Sequence, residues 1–78
     1  QFVVQIKFFG AFKKYGDGTA LDVPTGTDVA ALKKILQEKL GDDLVQDSAL
    51  ACNDVIVSAD AIIKPGDSVA ILPPVCGG

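Results

Sequence analysis

Apolar and polar residues alternate from the start of the chain. Phe2, Val4, Ile6 and Phe8 share one parity of the stretch Phe2 to Phe9, and Val3, Gln5, Lys7 and Phe9 share the other. A period of two predicts a strand with one strongly apolar face. Thr19 to Val23 predicts a second strand, stopped at Pro24, which has no N–H to give to a ladder. Gly10 to Gly18 is less regular, and its Asp17-Gly18 pair is a hairpin-turn signal, so the first two strands are expected to form a hairpin. The period then changes. Val29, Leu32, Ile35, Leu36 and Leu40 recur at helical spacing, with Lys33, Lys34, Glu38 and Lys39 largely on the other side. This predicts a helix over 28–40, stopped by Gly41. Thr25-Gly26-Thr27-Asp28 supplies a turn and the helix cap, with Thr27 the expected cap.

Beyond Gly41 the runs are shorter. Asp42 to Ser48 is polar and reads as loop with at most a helical turn. Ala49 to Cys52 and Val55 to Val57 predict two short strands joined at Asn53-Asp54, a tight-turn pair. Ala61-Ile62-Ile63 is apolar but short. Lys64-Pro65-Gly66-Asp67 has Pro second and Gly third, as a type II turn requires, and Ser68 to Leu72 predicts the last strand.

One helix cannot be buried between two sheets made from so few strands. The economical solution is a two-layer α+β domain, a mixed sheet curled over one helix. If the first and last strands lie side by side in the centre, they run parallel, and the helix connection supplies the crossover. Val4, Ile6, Phe8, Leu32, Ile35, Leu36, Val69 and Ile71 converge on one side and are the expected core.

Composition narrows the chemistry. At 78 residues one small core is only just sufficient. His is absent, which removes the commonest general base and metal ligand. Cys52 and Cys76 have neither CxxC nor Cys/His spacing, so no zinc site is expected. The net charge is −3 and no basic cluster exceeds Lys13-Lys14 or Lys33-Lys34, which gives nucleic-acid binding little support. No apolar run has the length of a membrane span and no signal-peptide pattern opens the chain. The expectation is a soluble cytoplasmic domain, with Cys52 a small buried hydrophobe and no Cys52–Cys76 disulfide.

The last residues carry the sharpest chemical signal. Leu72-Pro73-Pro74-Val75-Cys76-Gly77-Gly78 couples two prolines, which favour an extended path, to a Gly-Gly pair with no side chain to pack. The division expected is a body over 1–72 and an extended tail over 73–78. The six tail residues can reach roughly 20 Å at ~3.3–3.6 Å each. Such a thread, ending in a free carboxylate, suits delivery into a narrow channel where any Cβ would clash.

These residues together resemble the ubiquitin-like sulfur carriers of the MoaD/ThiS family, above all the branch that serves as small subunit of molybdopterin synthase. The resemblance covers essentially the whole chain. It rests on Ile6-Lys7-Phe8-Phe9-Gly10, on Val23-Pro24 with Thr27-Asp28-Val29-Ala30-Ala31-Leu32, and on Cys52-Asn53-Asp54 with Val57. Its most specific part is Lys64-Pro65-Gly66-Asp67-Ser68-Val69-Ala70 followed by Pro73-Pro74-Val75 and Gly77-Gly78. It implies a β-grasp fold in which Gly78 is the working group. Its carboxylate would be adenylated and then converted to a thiocarboxylate.

The resemblance also implies the partners. An E1-like adenylyltransferase of the MoeB/ThiF type would use ATP and Mg, and a sulfurtransferase would supply sulfur. A molybdopterin synthase large subunit of the MoaE type would receive the tail residues Pro73, Pro74, Val75, Cys76 and Gly77. The chain itself would then bind no cofactor and be a non-catalytic sulfur donor, with the catalytic residues on the large subunit. Cys76 stands where the family usually has Ala or Ser, and is read as a tolerated small residue. Phe9 and Leu72 have outward parity, and Ile56 matches a position the family uses for partner contact. These three are the expected docking patch. The same carrier chemistry could serve thiamine, transfer-RNA thiolation or a specialised metabolite. A protein modifier joined through Gly78 to lysine, or a plain interaction domain, are the other readings.

Overall fold

A computed structural model describes residues 1–74 of the chain. Strand β1 (Phe2–Phe8) leads through a 3₁₀ turn (Gly10–Tyr15) to β2 (Gly18–Val23). Helix α1 (Val29–Leu40) follows, then a second 3₁₀ turn (Asp43–Asp47), β3 (Ala49–Cys52), β4 (Val55–Val57) and β5 (Ser68–Leu72). The sheet has five strands in the order β2-β1-β5-β3-β4. β1 and β5 are the parallel central pair, in register from Gln5↔Ser68 to Phe8↔Ile71. The other neighbours are antiparallel. This is the β-grasp arrangement, one mixed sheet over one helix, as the element order predicts.

The core lies between the inner sheet face and α1. Val4, Ile6, Phe8, Leu32, Leu36, Val69 and Ile71 are all buried, as expected from their spacing. Ile35 is only half-buried at the margin of this cluster. Its place at the edge of the helical stripe leaves it partly facing solvent. Phe12, Val23, Val45, Leu50 and Ile63 complete the cluster.

Two local expectations are corrected. First, β1 and β2 are not joined by a tight turn at Asp17-Gly18. Gly18 already pairs with Lys7, and the link from β1 folds back as the 3₁₀ turn because Phe12 is fully buried there, its ring 6.5 Å from that of Phe8. The link closes where the Phe8 N–H donates to the Asp17 carbonyl at 2.9 Å. Second, the helix cap is Asp28, not Thr27. Asp28 is the last extended residue, and its carboxylate accepts the Ala31 N–H at 2.8 Å. The Thr27 hydroxyl instead donates to the Pro24 carbonyl at 2.6 Å, closing the turn before the helix. Ala61-Ile62-Ile63, apolar but short, is a strap across the start of α1. The carbonyls of Ala61 and Ala59 accept the Val29 and Ala30 N–H groups, each at 2.9 Å, and Ile62 forms an isolated bridge to Asp28. With the Asp28 cap, the first three free N–H groups of α1 are satisfied.

The two tight turns are as predicted. Asn53 and Asp54 both have positive φ, 52° and 70°, the conformation of a type I′ hairpin turn. In the Lys64–Asp67 turn Gly66 has φ 87°, and the Asp67 N–H donates to the Lys64 carbonyl at 3.1 Å.

Candidate functional site

The parallel pairing of β1 and β5 decides where the C-terminal tail starts. Both strands run to the same edge of the sheet, so Phe9 and Leu72 follow the last ladder pair, Phe8↔Ile71, side by side. Antiparallel β3 begins at this same edge, with Ala49 opposite Leu72. Pro73 and Pro74 continue from there, both half-buried. Val75, Cys76, Gly77 and Gly78, on which most of the expected tail chemistry falls, lie outside the described residues.

Parity separates the two faces of these strands. Phe8 and Ile71 point into the core, at 1% and 0% exposure, whereas Phe9 keeps 42% of its surface and is extended in backbone. Leu72 is half-buried. Ile56, on the edge strand β4, is 65% exposed. It pairs with Ala51, which pairs with Ala70, which pairs with Lys7, so all four share the outer face.

The expected docking residues therefore lie on one face but do not all touch. Phe9 and Leu72 stand together at the tail base. Ile56 is set off from β5 by the width of β3, roughly 9–10 Å across two strand spacings. Ala49, Ala51 and Ala70 fill the interval as a low floor, Ala51 being buried outright. These alanines were not singled out in the sequence. Their signal was the outward parity of small residues in β3 and β5, legible only once the strand order is known. The lone charge of this floor is Lys7, beside Ala70. Lys13 and Asp17, ion-paired at 3.2 Å, line the same surface hollow as Lys7 and Phe9.

The ionisable groups are structural. Cys52 is half-buried rather than sealed in the core, its Sγ 3.8 Å from the Asp67 carboxylate. Burial first, and then the Asp67 charge, push its thiol up, away from the reactive thiolate. Asp67 itself accepts from the Lys64 N–H at 2.8 Å and from the Asn53 side-chain amide at 3.2 Å, and these bonds hold its carboxyl below the usual range. Asn53 in turn accepts the Ser68 N–H at 3.0 Å, so the two turns flanking β3 and β5 are tied together. Among the described residues no three His, Cys, Asp or Glu side chains converge as a metal site. Among the same residues no helix is long and apolar enough to cross a membrane.

Comparison with known proteins agrees with this architecture. The ThiS family matches residues 6–78. The chain is 35% identical to the molybdopterin synthase sulfur carrier subunit of Mycobacterium tuberculosis, with 96% of each chain covered. Among solved structures it is similar to a putative molybdopterin converting factor subunit 1 from Pyrococcus furiosus. That match has 29% identity and a TM-score of 0.78, and covers 96% of this chain and 100% of that one. It is also similar to a chain in the complex of subunits 1 and 2 of the molybdopterin-converting factor of Helicobacter pylori. Here identity is 35% and the TM-score 0.70, over 97% of this chain and 99% of that one. Motifs, strand order and these likenesses agree: the chain belongs to the ThiS family of ubiquitin-like sulfur carriers.

Proposed function

We propose that this chain is the sulfur-carrying small subunit of a molybdopterin synthase. The observation that carries the reading is exposed Phe9 beside half-buried Leu72 at the edge from which the tail departs, with exposed Ile56 farther out on the same face. A monomer gains nothing from such a patch, and large exposed apolar side chains commonly mark interfaces. Aromatic and aliphatic anchors buried there would hold the body in register while Gly77 and Gly78 thread into the partner. The relatives named as molybdopterin synthase and converting-factor subunits support this pathway over thiamine or transfer-RNA thiolation. The Helicobacter pylori complex of subunits 1 and 2 supports a large-subunit partner of the MoaE type.

The chemistry follows from the carboxylate. A carboxylate is a poor electrophile. An oxygen of the Gly78 carboxylate attacks the α-phosphorus of ATP on the activating enzyme and releases pyrophosphate, leaving an acyl adenylate. Hydrosulfide released by the donor attacks the acyl carbon, AMP departs with the displaced oxygen and the S–H proton is lost, so that one carboxylate oxygen is replaced by sulfur. The thiocarboxylate is a soft nucleophile that needs no side chain of the carrier for its reactivity. Within the synthase it attacks the pyranopterin precursor, and water later returns Gly78 to the carboxylate. The acid-base groups for that step belong to the large subunit. ATP and magnesium belong to the activating enzyme, and the carrier holds no cofactor of its own.

The test is reconstitution with a synthase large subunit and the pyranopterin precursor. The sulfur-charged carrier should convert the precursor, and the uncharged carrier should not. A carrier that takes up sulfur yet leaves the precursor unchanged would assign it to another pathway.

A further inference from the structure

Gly10 and Pro73 stand at opposite ends of the chain, and the fold presses them together. A Cβ built on Gly10 would lie 2.6 Å from Cγ and 3.2 Å from Cδ of Pro73, but an ordinary 3.9 Å from its Cβ. The obstacle is therefore the far side of the proline ring. We propose that Gly10 is the seat of the C-terminal tail. Its bare Cα lets the Pro73 ring lie against the link between β1 and β2, and this contact sets the direction in which the tail leaves the body. The inference rests on the sulfur-carrier reading and adds a positioning residue to it.

Neither side of the contact can retreat easily. Gly10 begins the 3₁₀ turn whose Phe12 is fully buried. That turn is closed by the Phe12 N–H on the Phe9 carbonyl at 3.1 Å and the Gly16 N–H on the Lys13 carbonyl at 3.0 Å. Tyr15, at its end, packs edge-on to Phe8 and donates to Asp42 at 2.6 Å. Pro73 directly follows Leu72, which is laddered to Ala49. A side chain at Gly10 must then displace the ring, and with it the path of everything that follows. A misplacement of about 1 Å at a reacting group can cost on the order of a hundredfold in rate. A tail that delivers its last carbonyl carbon into another protein's site is sensitive to such an error at its base.

Gly10 also has φ +57°, so backbone strain has to be separated from the contact. Gly41 provides the control. Its φ is +67°, and a Cβ there meets nothing within 4 Å. Four variants, Gly10→Ala, Gly41→Ala, Pro73→Ala and Gly10→Ala/Pro73→Ala, are compared for melting and for sulfur transfer in the reconstituted synthase over a range of carrier concentrations. Gly10→Ala is expected to lower the rate at saturating carrier about tenfold or more, with the half-saturating concentration little changed because the docking face is intact. Gly41→Ala lowers melting and leaves transfer alone. Once Pro73→Ala has removed the ring, adding Gly10→Ala should lower the rate no further. If Gly10→Ala does not fold, Gly10→Asn imposes the same Cβ with a residue that tolerates the left-handed backbone.

Transfer by the Gly10 variant at the wild-type rate would overturn the proposal. So would a double variant clearly slower than Pro73→Ala alone. Proton–proton NOEs between Gly10 Hα and the Pro73 ring in the wild-type protein report the seat without any activity, and their absence would overturn it as well. A wild-type carrier that takes up no sulfur would instead sink the carrier reading, while those NOEs would still decide the seat.

Discussion

Phe8 and Phe9 are neighbours of the same residue type, yet the fold uses them in opposite ways. Phe8 is sealed between the sheet and α1 at 1% exposure, while Phe9, one step on, keeps 42% of its surface. Ile71 and Leu72 repeat the contrast on the adjacent strand. The inner pair lowers the free energy of the fold by leaving water. The outer pair leaves apolar surface wet, Phe9 more than half-buried Leu72, and such surface commonly marks an interface. The proposed docking role rests on this contrast, which can be broken by experiment.

The largest effect is expected at the tail tip. Gly77→Val should abolish sulfur transfer while leaving melting unchanged, because the proposed channel has no room for a Cβ and glycine has no side chain to pack. Normal transfer by this variant would remove the channel argument. Phe8→Ala should cost about 3–5 kcal/mol of stability, read by chemical denaturation, as expected for a buried Phe truncated in a core that cannot fully collapse. A Phe8→Ala protein as stable as wild type would mean that the facing of β1 is misassigned.

The inner half of the comparison was largely legible in the sequence. The alternation from Phe2 to Phe8 and the helical spacing from Val29 to Leu40 are long enough to fix both elements and their facing. The first 3₁₀ turn was not legible. It has no period of its own, and the burial of Phe12 depends on a space that only the closed sheet creates. The helix cap fell between Thr27 and Asp28, adjacent residues that can both cap. Which of them does so depends on the Pro24 carbonyl claiming the Thr27 hydroxyl. Phe9, Leu72 and Ile56 could be picked out by parity and resemblance, but the alanine floor between them requires the order β1-β5-β3-β4. The Gly10–Pro73 contact lies furthest beyond reach, since nothing local to either residue announces the other.

Phe9→Asp sharpens the same contrast. It should weaken the complex with the synthase large subunit by about tenfold or more, and shift stability far less, since interface anchors lose binding energy on truncation. Calorimetric titration showing unchanged affinity would place the docking face elsewhere. The smallest effect concerns the turns that hold β3 and β5. Asp67→Ala removes the hydrogen bonds from the Lys64 N–H, the Asn53 amide and, more weakly, the Cys52 thiol to a half-buried carboxylate and should cost about 1 kcal/mol, with docking unchanged. A variant with wild-type stability would show that the tie between the turns is dispensable.

The pH dependence has a defined sign. Asp67 is held below the usual carboxylate range by the Lys64 N–H and the Asn53 amide. Asp42 is held low first by the Tyr15 hydroxyl and then by the Leu44 N–H. A depressed folded pKa contributes stability that is fully present above the unfolded value, about 4, and is lost as pH falls through the folded one. Melting should therefore be flat in pH from neutrality to about 5 as far as these groups are concerned, and should fall below that. Acid melting of Asp67→Ala should be less steep than that of wild type, and identical slopes would contradict the assignment.

The most direct measurement is the intact mass of the protein after incubation with ATP, magnesium, an activating enzyme of the MoeB/ThiF type and a sulfur donor. Replacement of one carboxylate oxygen by sulfur at Gly78 predicts a gain of about 16 Da, absent when ATP is omitted and absent from a chain lacking Gly78. An unchanged mass under conditions that charge a known carrier would contradict the account.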